Sequence, residues 1–93
     1  MVTAIVLIKA ERKSINELAQ KLFKMAGISE VYSVSGRFDL AAIIRVFDNG
    51  KLADLVTNHM LKLEGIINTE TMLAFRTYSR HDLERMFTIG FED

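Results

Sequence analysis

The chain contains no cysteine, which removes disulfides and thiolate metal sites from consideration. It also has no surplus of either charge: 12 Lys and Arg stand against 12 Asp and Glu. These charges are scattered, so no basic stripe waits to neutralise phosphates, and direct nucleic-acid binding is not expected. Long apolar runs are missing as well. "AIVLI" (4–8) and "LAAII" (40–44) fall far short of the ~20 residues that a bilayer-spanning helix needs. No charged-then-apolar leader with a cleavage site opens the chain, so a cytoplasmic protein without a membrane partner is expected. Histidine is scarce, with only 2 residues and no H-x-x-x-H or H-E-x-x-H spacing, so no metal is expected. The glycines are isolated and no serine sits in a nucleophile elbow, so neither a phosphate-cradling loop nor a cofactor is indicated.

What the chain has in abundance is apolar surface. Hydrophobic residues make up 49% of its 93 positions, enough for one domain and more than one small core needs. A domain of this length buries roughly 60–65% of its unfolded surface. The surplus points to oligomerisation.

"VTAIVLIK" (2–9) reads as a β-strand because it is rich in β-branched residues. Its alternating faces, Val2, Ala4, Val6, Ile8 and Thr3, Ile5, Leu7, are both largely apolar. One face takes helices, and the other must meet a second sheet or a partner. "SINELAQKLFKMAG" (14–27) reads as a helix with a Ser14/Glu17 capping box and a stripe of Ile15, Leu18, Ala19, Leu22, Phe23 and Ala26. Gly27 sits where a left-handed helix stop is wanted. Strands are expected over 29–35 and 40–47, joined as an antiparallel hairpin through Gly36, Arg37, Phe38 and Asp39. "DNG" (48–50) marks a turn before a second helix at 51–63, with Leu52, Leu55, Val56, His59, Met60 and Leu63 in one stripe. Gly65 ends that helix, and 66–78 forms a fourth strand.

The junctions "KMAGISEV" and "KLEGIINT" repeat one another, aligning Gly27 with Gly65 and Ile28 with Ile66. The order is therefore β-α-β twice. This is an α+β, ferredoxin-like βαββαβ sandwich: an antiparallel four-stranded sheet with two helices on one face. "SRHDLERMF" (79–87) reads as a short C-terminal helix, dividing the chain into a domain at 1–78 and an extension at 79–93.

No constellation of catalytic groups stands out, and no catalytic residue is assigned. His59 falls within an apolar stripe, where a structural role is the commoner one. His81 lies in the first turn of the tail helix and reads as a surface or cap residue.

"MVTAIVLIKAE", "MAGISEVYSVSGRFDLAAIIRV" and "KLEGIINTETMLAF" together resemble the effector-binding (RAM) domain of the Lrp/AsnC family. The most specific part is G-I/V-x-x-V-Y-x-V-x-G-x-x-D, running from Gly27 to Asp39, with Gly65, Thr69 and Thr71 agreeing. The resemblance covers about residues 1–76. It implies dimers with their sheets face to face, ring assembly to octamers or decamers, and a free amino acid held between dimers. The chain begins directly on the first strand, so it resembles the stand-alone form without the helix-turn-helix DNA-binding domain. A full-length regulator of the same family is then a further partner.

The resemblance places the ligand at Ser35, Gly36, Arg37, Phe38 and Asp39, with Thr69 and Thr71 as hydroxyl donors. The turn reads two ways. Gly36 supplies a positive φ and Asp39 bonds the loop's own N–H groups, or the exposed N–H groups nest a carboxylate while Asp39 takes an ammonium. For the threonines, the other reading is cross-strand pairing on the surface. The leading function is an amino-acid or small-metabolite binding and oligomerisation module, not an enzyme. The alternatives are a dimeric α+β barrel enzyme using His59 or Tyr32 as acid or base, and a purely structural interaction module.

Overall fold

A computed structural model describes residues 1–78 and Arg80. Four strands form one antiparallel sheet: β1 (Val2–Ala10), β2 (Ile28–Ser33), β3 (Leu40–Val46) and β4 (Ile66–Leu73), in the order β2-β3-β1-β4. Helix α1 (Ile15–Phe23) joins β1 to β2, and a second helical segment starting with α2 (Asn49–Asp54) joins β3 to β4. This is the expected ferredoxin-like sandwich, with β1 at its centre. The C-terminal helix expected from Ser79 lies outside the described residues, apart from the exposed Arg80.

The two faces of β1 separate as its alternation demands. Ala4, Val6, Ile8 and Ala10 are buried under the helices, with Leu18, Leu22, Leu40, Ala42, Ile44, Leu52, Leu55 and Met60. The opposite face carries Ile5 and Leu7, flanked by Ile43 and Ala41 on β3 and Met72 on β4. Its centre is apolar, with Glu70 opposite Leu7 and Arg45 opposite Thr3, and it is uncovered within this single chain.

Both repeated glycines have the positive φ expected of them, +97° at Gly27 and +95° at Gly65. At Gly65 there is a second reason for the missing side chain: a Cβ there would lie 2.7 Å from Ser14 Cβ. That contact also explains why the capping box does not form. Arg12–Ser14 make a 3₁₀ turn that leads into α1 with Ser14 already helical (φ −103°, ψ −4°) and without a side-chain cap bond. An N-cap needs extended backbone to turn its hydroxyl onto the first N–H groups. Here Ser14 is packing on Gly65 instead.

Helix α1 is shorter than expected, and Phe23 is 65% exposed although its spacing places it in the stripe. Ala26 is also exposed, because the α-helix has ended before it. The second helix departs more. After Asp54 comes a π-turn, Leu55–His59, then a 3₁₀ turn, Met60–Lys62. The Met60 N–H reaches the carbonyl of Leu55, five residues back. The wider turn accommodates one extra residue. Leu55 and Met60 both stay in the core, while His59, expected among them, is rotated out to solvent. Strand β4 ends at Leu73 rather than running to Tyr78.

Candidate functional site

The site is built where β3 stops. Residue Leu40 pairs with Ile8, and the ladder extends one bond further, from the Asp39 N–H to the Ile8 carbonyl at 2.8 Å. Beyond it, the N–H of Ala10 has no strand to meet. The carboxylate of Asp39 takes the place of that strand, its Oδ2 accepting the Ala10 N–H at 2.9 Å. Lys9 Nζ stands 3.6 Å from the same oxygen. The turn is closed by the Val34 N–H donating to the Asp39 carbonyl at 3.0 Å. Asp39 thus bonds across to the central strand rather than to the loop's own N–H groups. Its other oxygen, Oδ1, has no hydrogen-bond partner among the described residues.

The remaining turn residues follow from that anchor. Gly36 has φ +108°, and a Cβ at that position would meet nothing within 4 Å. Its conformation therefore requires glycine, but its surroundings are open. Ser35 and Arg37 are exposed, and Phe38 is half-buried.

Thr69 and Thr71 lie on the edge strand β4, opposite Ile8 and Val6. Their cross-strand neighbours are apolar, so paired surface threonines are not the arrangement. Thr69 flanks Ile8 on one side as Leu40 does on the other, which puts it two strand spacings, about 10 Å, from the turn's base. Thr71 lies about 7 Å further along the strand. The structure gathers Ser35 to Asp39 into one turn and brings Thr69 to the same end of the sheet. The turn and the threonines stay separated by β1 within one chain.

Sequence reasoning missed Lys9 and the Ala10 N–H, whose link to Asp39 spans 29 residues. The one available signal was that Lys9 is a lone charge in an otherwise uncharged strand. The residues considered for catalysis do not assemble. His59 is exposed and faces Asp54 at 3.4 Å. The Tyr32 hydroxyl donates to Glu30, and that bond together with the Glu30 charge pushes its pKa above the ordinary tyrosine value. A phenol held protonated in this way is not available as a base near neutral pH. No group of three or more His, Cys, Asp or Glu side chains suited to a metal occurs among the described residues. No helix among them is long and apolar enough to cross a membrane.

A four-stranded antiparallel sheet with helices on one face and a pinned hairpin turn at one end defines a ferredoxin-like α+β domain. The profile of the Lrp/AsnC ligand binding domain matches residues 3–83, and the chain belongs to that family. It is 30% identical to the HTH-type transcriptional regulator FL11 of Pyrococcus furiosus, over 83% of this chain and 50% of that protein. It is 27% identical to the HTH-type transcriptional regulator YugG of Bacillus subtilis, over 99% of this chain and 56% of that one. The chain thus spans about half the length of these curated relatives. The crystal structure of a Thermus thermophilus protein superposes with a TM-score of 0.80 at 44% identity, covering 86% of this chain and all of that one. Two regulators share the fold at lower identity and were crystallised with L-methionine. One is from Neisseria meningitidis (TM-score 0.76, 14% identical, 85% of this chain and 53% of that one). The other is a feast or famine regulatory protein of Mycobacterium tuberculosis (0.72, 21% identical, 86% and 54%). The family is one of transcriptional regulators rather than enzymes.

Proposed function

We propose that the protein is a cytoplasmic sensor module that binds a free amino acid or a related small metabolite, and that it acts through assembly. Ser35, Gly36, Arg37, Phe38 and Asp39 form the ligand's seat, with Thr69 and Thr71 as hydroxyl donors. The observation that carries this reading is the anchoring of Asp39. One carboxylate oxygen holds the turn to β1, which leaves Oδ1 for an α-ammonium. Ser35, Gly36 and Arg37 are exposed in the turn, and the backbone N–H groups of such a turn suit a ligand's carboxylate. The methionine complexes of two proteins with the same fold support the ligand class.

The open sheet face, centred on Ile5, Leu7 and Ile43, meets the same face of a second copy. Dimers then join into a ring, and the ~10 Å between turn and threonines is closed by supplying them from neighbouring chains. A full-length regulator of the family is a further partner through the same surface. Ligand binding shifts whichever assembly holds the better-formed site, by its differential affinity.

The test is thermal unfolding in the presence of each of the common amino acids at millimolar concentration. A ligand at 100 times its dissociation constant stabilises by about 2.7 kcal/mol, which moves the midpoint by several degrees in a domain this small. Asp39→Ala lowers the starting midpoint by exposing or orphaning the Ala10 N–H, so the quantity to compare is the ligand-induced rise. A selective rise in the wild type that disappears in Asp39→Ala is expected. No rise with any amino acid leaves only a module that works by assembly.

A further inference from the structure

The charges on the open face of the sheet are Lys9, Glu30, Arg45 and Glu70. Lys9 stands against Asp39, and Glu30 accepts the Tyr32 hydroxyl. Arg45 and Glu70 are both exposed, and neither is in an ion pair among the described residues. Arg45 is opposite Thr3 on one side of β1 and Glu70 is opposite Leu7 on the other, so Ile5 lies midway between them. We propose that Arg45 of each copy meets Glu70 of the other across the two sheets, and that these contacts fix the angle at which the copies cross. The pairing rests on the sheet-to-sheet dimer and specifies how its two copies are set.

The geometry follows from the two-fold symmetry of a dimer of identical chains. Arg45 and Glu70 are two strands and four residues apart, about 10 Å across the sheet and about 13 Å along it. In a face-to-face pair the axis lies in the plane between the sheets. An axis that exchanges the positions of Arg45 and Glu70 passes over Ile5, at right angles to the line joining them. The strands of the two sheets then cross at about 70°, closer to the orthogonal class of sheet packing than to the aligned one. Ile5 meets its own copy at the centre, with Leu7, Ile43 and Met72 around it. A crossing of similar angle and opposite hand has its axis along the joining line instead. It stacks Arg45 on Arg45 and Glu70 on Glu70, and like charges set together inside an interface are strongly unfavourable. The apolar centre accepts either crossing; the charges at its corners select one.

The surroundings of Arg45 have room for the incoming side chain. A hollow of about 330 Å³ lies at this corner of the face, lined by Arg45, Thr3, Tyr32 and Ile43 and by Arg76 from the segment after β4. Arg76 adds a second guanidinium, and Glu30, the one carboxylate in the lining, is held by the Tyr32 hydroxyl. Tyr32 titrates above its ordinary value because of Glu30, and Arg45 opposes that rise, as a guanidinium charge close to the phenol must. A guanidinium fork is suited to take a carboxylate in two parallel bonds, and the Glu70 carboxylate of a second copy supplies it.

Sedimentation equilibrium of the full chain and its charge-reversal variants tests the pairing. Arg45→Glu and Glu70→Arg should each weaken the dimer about a hundredfold or more, because symmetry repeats the repulsive contact. An equimolar mixture of these two variants should dimerise with near wild-type affinity, since each copy then offers the charge that the other needs. The same mixture certifies that both variants are folded. The double variant Arg45→Glu/Glu70→Arg should also recover the wild-type affinity. Single reversals that dimerise as the wild type does, where Ile43→Glu dissociates it, leave the sheet-to-sheet dimer standing and overturn the pairing. Single reversals that dissociate and are rescued neither by mixing nor by the double variant overturn it as well. A wild type that stays monomeric removes the dimer and the pairing together.

Discussion

Gly65→Ala is the substitution for which the structure gives the sharpest expectation. Two costs add. With φ at +95°, the backbone must hold an L-residue in left-handed territory, worth about 1–2 kcal/mol. The new methyl would then stand 2.7 Å from Ser14 Cβ and 2.9 Å from its Oγ. Both atoms are close to the backbone at the entry to α1, so relief requires the helix to shift against β4, an overpacking cost of about 1–3 kcal/mol. Loss of unfolded-state freedom returns about 0.4–1 kcal/mol. The net is about 1–4.6 kcal/mol, and at its middle, about 3 kcal/mol, the midpoint falls by about 12–24 °C. Gly36→Ala isolates the backbone part, since φ is +108° but no atom lies within 4 Å; its cost should stay below about 1.5 kcal/mol. Gly27→Ala should fall between, because its 3.0 and 3.1 Å neighbours are side-chain ends that can give way. Urea denaturation at matched protomer concentration measures all three. Should Gly65→Ala cost no more than Gly36→Ala, the packing argument at Ser14 is wrong.

The phase of α1 is tested by adjacent residues: Leu22→Ala should lose about 2–5 kcal/mol, whereas Phe23→Ala, at a position 65% exposed, should change stability by under ~1 kcal/mol in a monomeric variant. Ile43→Glu puts a charge in the middle of the open sheet face and should cost a sheet-to-sheet dimer at least ~2 kcal/mol; sedimentation should show dissociation with the circular dichroism retained, and an unchanged sedimentation profile argues against that interface. Asp54 titrates below its ordinary value of 3.8, first because of the Asn58 amide bond and then because of His59 and Lys51. A depressed folded-state pKa means the contribution is present above the unfolded value and fades as pH falls through the folded one. Asn58→Ala should therefore move the Asp54 carboxyl titration upward when followed by carbon NMR, and an unmoved curve would show that the amide bond is not what holds it down.

The order of elements was legible because local signals sufficed. β1 alternates between two apolar faces, the β2–β3 hairpin is short, and the same Gly-Ile junction occurs twice. The positive φ values at Gly27, Gly36 and Gly65 follow from where a chain must reverse or stop. What the sequence concealed are effects of tertiary contact. The Ser14/Glu17 spacing promises a capping box, but the Gly65 backbone occupies the space beside Ser14 and favours a packed helical entry. His59 reads as a stripe residue only if 3.6 residues per turn hold throughout, and one π-turn is enough to carry it to the surface. The Asp39 site is half legible in the same sense. A glycine and an aspartate in a hairpin announce a turn, but nothing local says that the carboxylate completes the ladder of a strand 29 residues away.

That completion bears on how the proposed sensor would couple binding to assembly. Lys9 follows Ile5 and Leu7 on the open face of β1, yet its ammonium reaches Asp39 at 3.6 Å. It belongs at once to the surface offered to a second copy and to the anchor of the ligand turn. In the isolated chain the Lys9 side chain is 45% exposed, and an ion pair so wetted contributes little. A second sheet laid over the face would remove water from Lys9 and make its partner matter more. A ligand carboxylate near the turn would offer Lys9 a second anion, while the ligand ammonium would compete for Asp39. Assembly and ligand would then act on the same pair of charges, and coupling through one pair is necessarily reciprocal: whatever assembly does to ligand affinity, the ligand does to assembly. This gives the lone lysine of an otherwise uncharged strand a physical reason to be where it is.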